Sequence, residues 1–264
     1  MRKLIGMAFL GVSLLLPVHG YAAQTKTDGV LTLEYSDGSP ATTGVESVNA
    51  VLSAVGVRVS QLPLPEAARP ILKVSQARAL SEKEASELIS YFSLHRGELL
   101  EQISKAGRKP EMHRGGYLST SEVGVAPYPK VYDMKAMSPE VKVFLQEKFG
   151  KLHVNSSDSG VGIDEVMTIV SGGPWTWFFA LPGNVVGKLT LGHVGLDGQA
   201  WRISYPGLGV HGGYLDADYG LVVAYAHGPK HFVMRYEEPG IEGVELLGTN
   251  PWIDFSGKAP RLLK

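Results

Sequence analysis

Cysteine is absent from the 264 residues. That excludes disulfides, thiolate metal sites and a lipid-modified cysteine anchor. An excess of one charge is also missing: 25 Lys and Arg stand against 26 Asp and Glu, with no long run of either sign. A balanced surface of this kind lacks the electrostatic footprint of a nucleic-acid binder, so neither DNA nor RNA is an expected partner. After residue 18 no apolar run approaches the ~20 residues that a membrane helix needs. The chain also has no Gly-x-Ser-x-Gly elbow, phosphate loop or dinucleotide fingerprint, and no internal repeat.

Glycine, at 32 residues, and proline, at 16, are plentiful. This turn-rich composition suits many short strands better than a helical bundle. At the N-terminus, Arg2 and Lys3 precede an apolar stretch over 4–18 and the small residues Gly20, Ala22 and Ala23. The pattern is that of a secretory signal peptide over 1–23, cleaved near Ala23 or Gln24. The mature protein is therefore expected to be periplasmic or secreted, with no membrane association after cleavage.

Residues 24–112 read as mostly helical. Alternation over 29–35 predicts one short strand, and the spacing of Val48, Val51, Leu52 and Val55 predicts a helix closed by Gly56. Leu62-Pro63-Leu64-Pro65 reads as a connector. Ser81 and Glu84 form a capping box ahead of Leu88, Ile89 and Phe92, and His95-Arg96-Gly97 interrupts the pattern, so two helices or one kinked helix are expected up to Gly107. Ser138-Pro139-Glu140 opens a further helix that Gly150 ends.

From residue 151 strand-like runs recur at 152–155, 163–170, 175–181, 185–191, 199–205, 221–225 and 232–236, joined by Gly, Pro, Asn and Asp turns. The fold class is thus α+β: a helical N-terminal half packed on a β-barrel over 113–264, divided near residue 112.

Three metal-binding side-chain types, His153, Glu165 and His211, sit in or beside these strands. Asn155 lies two residues from His153 and so shares its face, while Gly172-Gly173 turns the chain after the Glu165 strand. Buried together without a cation, two histidines and a carboxylate would be costly, which favours ligation if they converge. Trp175 and Trp177 are candidates for a substrate-binding wall, with core packing as the alternative. Tyr205 and His193 are candidates for moving a proton. The pair His227 and His231 is separated by Gly228-Pro229, a turn that disfavours a second metal site.

Over residues 150–236 this order resembles the cupin superfamily. Its first motif runs His-x-His, a short gap, Glu, six residues and Gly; its second is a Pro and Gly turn leading to His. Glu165 and Gly172 have the six-residue gap, and Pro206, Gly209 and His211 are similar to the second motif. The chain departs from the pattern in three ways. Asn155 stands where the second histidine would, nine residues separate it from Glu165, and Gly209 lies one residue closer to His211. The resemblance implies a jelly-roll barrel holding one divalent metal ion, of iron, manganese, nickel or zinc, at its mouth.

Three functions fit this reading. The first is an exported metalloenzyme of isomerase, lyase or oxygenase type acting on a small polar molecule such as a sugar or a hydroxy or keto acid. The second is a periplasmic binding protein without turnover, and the third a metal-free structural or interaction barrel. A small-molecule ligand and a homodimer are the partners to look for.

Overall fold

The computed structural model describes residues 30–107, 128–228 and 231–263. The signal peptide expected over 1–23 and the boundary expected near 112 lie outside the described residues. In chain order the elements are β1 (Leu31–Tyr35), β2 (Thr42–Thr43), α1 (Val45–Leu52), β3 (Arg58–Pro63), α2 (Arg69–Ser75), α3 (Glu82–Tyr91), α4 (Arg96–Lys105) and β4 (Lys130–Asp133). They continue with α5 (Pro139–Gly150), β5 (Val154–Ser156), β6 (Asp164–Gly172), β7 (Trp175–Leu181), β8 (Val185–Leu191) and β9 (Gln199–Tyr205). The last are β10 (His211–Tyr214), β11 (Gly220–His227), β12 (Val233–Arg235), β13 (Ile253–Asp254) and β14 (Arg261–Leu262).

One five-stranded sheet runs β10-β7-β8-β1-β2 and the other β3-β9-β6-β11-β4. An antiparallel bridge between His153 and His211 joins the start of β5 to β10. Strands β4 to β11 therefore form two layers ordered β5-β10-β7-β8 and β4-β11-β6-β9, the double-sheet order of a jelly roll. Alternation along β7 shows how the layers meet. Trp175, Trp177, Phe179 and Leu181 point into the main core, whereas Phe178 packs with Leu152, Val154, Val186 and Ile253 on the outside of the same sheet.

The expected helical N-terminal half is a correction to make. Its strands β1 and β3 extend the two sheets, pairing antiparallel with β8 and β9. Glu34 faces Lys188 across the first pairing and holds its amino group at 2.9 Å, while Lys188 also lies 4.2 Å above the Trp252 ring. Leu62 and Pro63, expected in a connector, end β3, which is an edge strand where proline is tolerated. The helices that follow β3 are short and lie on the second sheet, with Leu72, Leu88 and Phe92 in the same core as Val166 and Val170. That cover explains why every residue of β6 and β11 is buried.

Local signals behave as the sequence dictates. Ser81 and Glu84 form the capping box of α3, and α4 is a separate helix. The Ser138 hydroxyl accepts from the Val141 amide at the start of α5, 3.3 Å away.

Candidate functional site

His153 and His211 are paired residues on neighbouring strands. Each backbone amide donates to the other's carbonyl, at 2.8 and 2.9 Å, so the two side chains emerge together and their ring centroids lie 4.6 Å apart. Asn155 follows His153 at the two-residue spacing that keeps it on the same side. Glu165 comes from the opposite sheet, where β6 sets it in register with Tyr205 of β9. All four predicted ligand residues thus line one cavity of about 330 Å³ between the sheets, and all four are buried.

The loop that delivers His211 is fixed by its neighbours. Asp164 Oδ1 accepts from the Gly207 amide at 3.0 Å, and the Gly207 carbonyl accepts from the Asn155 amide at 2.7 Å. A Cβ on Gly207 would come within 2.3 Å of Ile163 backbone atoms, so the loop seats against β5 only with glycine there. Gly172, the glycine six residues past Glu165, has φ +75° and would drive a Cβ to 2.1 Å from the Tyr219 carbonyl.

Both imidazoles are held in one tautomer. His153 Nδ1 lies 2.7 Å from the Lys151 carbonyl and His211 Nδ1 lies 2.7 Å from the Gly209 carbonyl. A carbonyl only accepts, so each Nδ1 carries the proton and each Nε2 keeps its lone pair. Asn155 Nδ2 donates one hydrogen to Glu165 Oε2 at 2.6 Å and the other to His211 Nε2 at 2.9 Å. Its Oδ1 is buried without a hydrogen-bond partner among the described residues. Glu165 Oε1 accepts from the Tyr128 hydroxyl at 2.7 Å, and the Tyr132 hydroxyl lies 3.3 Å behind it.

Burial, and then the charges around it, set the proton affinities. His153 is held well below the ordinary histidine value by burial first and by His211 second, so it stays neutral. The Tyr128 and Tyr205 phenols are raised well above the usual value by burial and then by the negative charge of Glu165, and Tyr132 is pushed up to about 12 for the same reasons. These phenols are hydrogen-bond donors near neutrality and not bases. Tyr205 thus lines the cavity as a neutral phenol near neutrality.

Two predicted residues lie elsewhere. His193 is exposed and lies 2.7 Å from the Tyr219 hydroxyl, outside the cavity wall. Trp175 is wholly buried beneath the wall and donates to the Ser171 carbonyl, whereas Trp177 does line the cavity. Sequence reasoning missed Tyr128, Lys130 and Tyr132. Lys130 and Tyr132 share the cavity face of β4 by strand alternation, which was legible, and Tyr128 lines the cavity from just before that strand.

The fit to a divalent ion has two sides. Two Nε2 lone pairs, a carboxylate and an unpartnered amide oxygen form a suitable donor set. Among the described residues, however, no three His, Asp or Glu side chains are gathered closely enough to hold an ion. The Asn155 amide group occupies the gap between Glu165 and His211. The residues therefore fit a metal when that amide turns, which would bring Oδ1 inward.

No family model matches the chain, and no curated protein does. Among solved structures it is similar to acireductone dioxygenase from Bacillus anthracis with a cadmium ion in its active centre, a protein of cupin fold. The TM-score is 0.47 and the identity 18%, over 75% of this chain and 92% of that one. A likeness so distant carries no inference about activity. By the order of its own strands the barrel is a jelly roll, the architecture that the resemblance over 150–236 implied.

Proposed function

We propose that this chain is an exported, cupin-like metalloenzyme that binds one divalent ion through His153, His211 and Glu165, with the Asn155 amide oxygen as a weak fourth donor. One observation carries the reading: both imidazoles are tethered through Nδ1 to backbone carbonyls, the outer-shell arrangement that orients histidine ligands, leaving Nε2 for an ion. Glu165 supports it, since a buried carboxylate whose fixed partners are neutral donors is stabilised by a cation.

The residues themselves divide the work. Glu165 supplies the carboxylate of the donor set. Tyr128 donates to it and fixes its orientation, with the Tyr132 hydroxyl 3.3 Å from that of Tyr128. A bound divalent ion would polarise a carbonyl or hydroxyl oxygen of the ligand. Isomerase, lyase and oxygenase chemistry all use such polarisation.

A second reading, ligand capture without metal or turnover, is favoured by the Asn155 amide, which satisfies Glu165 and His211 with no ion between them. Elemental analysis of the purified protein separates the two. One equivalent of a transition metal, lost in Glu165→Gln, supports the metalloenzyme. A metal-free protein that refuses zinc, iron, nickel and manganese after reconstitution leaves ligand capture.

A further inference from the structure

Aromatic rings dominate the walls of the cavity: Tyr128, Tyr132, Phe149, Trp177, Tyr205 and Phe232 all line it. Several are fixed by edge contacts, with centroids 5.7 Å apart for Tyr128 and Phe232 and 6.1 Å for Tyr132 and Phe149. Apart from the Glu165 cluster and the phenol hydroxyls, few polar groups face inward. A sugar would leave most of its hydroxyls against ring faces and aliphatic carbons without partners, at a cost for each. A flat apolar body loses nothing there.

The cavity also has a sign. Lys130 and Lys148 both line it, and their exposure marks the mouth. Among the described residues neither takes part in an ion pair; their amino groups lie over rings instead, Lys130 at 4.7 Å from the centre of Tyr132 and Lys148 at 5.9 Å from that of Phe144. Two lysines without carboxylate partners at the entrance of an apolar cavity attract an anion and repel a cation.

We infer that the ligand is a small aromatic carboxylic acid bearing a further oxygen. Its ring lies among the aromatic walls, its carboxylate meets Lys130 and Lys148, and its hydroxyl or carbonyl oxygen faces Glu165, Asn155 and His211. This narrows the substrate class and rests on the reading above that the Glu165 end is the reactive one. At about 330 Å³ the cavity is near the small end of ligand clefts, which suits a single ring better than a fused system.

The test is calorimetric titration of the whole chain with 4-hydroxybenzoate, phenol and glucose, alongside a separate titration with zinc. The hydroxybenzoate should bind, phenol more weakly and glucose not at all. The double substitution K130Q/K148Q, on two exposed residues, should weaken hydroxybenzoate by about tenfold, the sum of two partly screened charge contacts. It should leave phenol unchanged. Glucose binding as well as the acid, or an acid affinity indifferent to both lysines, overturns the inference. Zinc bound without any affinity for the acid also overturns it while the metal reading stands. Lysine-dependent binding of the acid with no zinc uptake sustains the substrate class and removes the metal.

Discussion

Glu165 Oε2 and His211 Nε2 face each other at 3.5 Å, two acceptors reconciled by the hydrogens of the Asn155 amide. A cation between them would take over that task. Metal binding and the orientation of Asn155 are therefore linked, and each substitution at this cluster has a direction.

Glu165→Gln keeps the size of the side chain and an acceptor for Tyr128 but removes the charge that would neutralise an ion. Zinc affinity should fall steeply, and the metal-free fold should survive with a loss of about 1–3 kcal/mol, because the new amide nitrogen meets the Asn155 amide nitrogen. His153→Ala and His211→Ala should abolish zinc uptake to the same extent, because ligands of one ion act as a unit. Zinc titration of the three variants checks this; wild-type affinity in Glu165→Gln would remove the ion from this cluster.

Asn155→Ala should act on the metal-free protein more than on the loaded one. Removing the amide leaves a carboxylate oxygen and an imidazole lone pair unreconciled, a loss of about 1–3 kcal/mol of stability. Zinc should restore much of it and should bind less weakly than in Glu165→Gln. Urea unfolding with and without zinc measures both; a variant as stable as wild type without zinc contradicts the bridging role.

His153 gives the acid side of the pH profile its direction. In the unfolded chain it takes a proton near its ordinary value of 6.5, while burial keeps it neutral in the fold. Below that pH the unfolded state binds more protons, so stability is retained above 6.5 and falls as the pH drops, by up to ~1.4 kcal/mol per unit. Metal-free protein unfolded in urea between pH 7 and pH 5 should lose stability along this slope. In His153→Gln the slope should flatten, and an unchanged slope assigns the effect to other groups.

Gly207→Ala tests how the second motif is seated. The added methyl would meet backbone atoms of Ile163 and Asn155, which cannot swing aside like side chains. A loss of about 3 kcal/mol is expected, with zinc binding impaired because the same loop carries His211. Thermal unfolding and zinc titration on one preparation report both.

Export is checked by the mature N-terminus. Protein from the native host should begin near Ala23 or Gln24 and sit outside the cytoplasm. Intact mass settles it, and an uncleaved Met1 on cytoplasmic protein counts against export.

What the sequence revealed was local. The Ser81–Glu84 box, the Ser138 cap and the alternating runs of β6 to β9 declare themselves within a few residues, and His153, Asn155, Glu165 and His211 meet because strand alternation and the Gly207 turn are readable signals. The pairing of Leu31 with Leu191, or of Val59 with Ile203, leaves no local trace, so β1 read as a lone strand in a helical region and the end of β3 as a connector. β10 was overlooked because two of its four residues are glycines. Trp175 and Trp177 share a face, and only the depth of the cavity, a three-dimensional quantity, separates the packed ring from the lining one. His193 was suggested by its type alone, and it lies exposed beside Tyr219, away from the cavity.

The placement of β1 and β3 has a consequence for how the barrel lives in solution. Each shields one flank of the jelly roll, β1 along β8 and β3 along β9, where rows of amide and carbonyl groups would otherwise stand open to any passing strand. Cut away the first 112 residues, and two sticky seams appear on a molecule whose cavity is intact on paper. Such a fragment should pair with copies of itself before it meets a ligand, so the leading segment acts as the hem that keeps the fabric from ravelling into its neighbours.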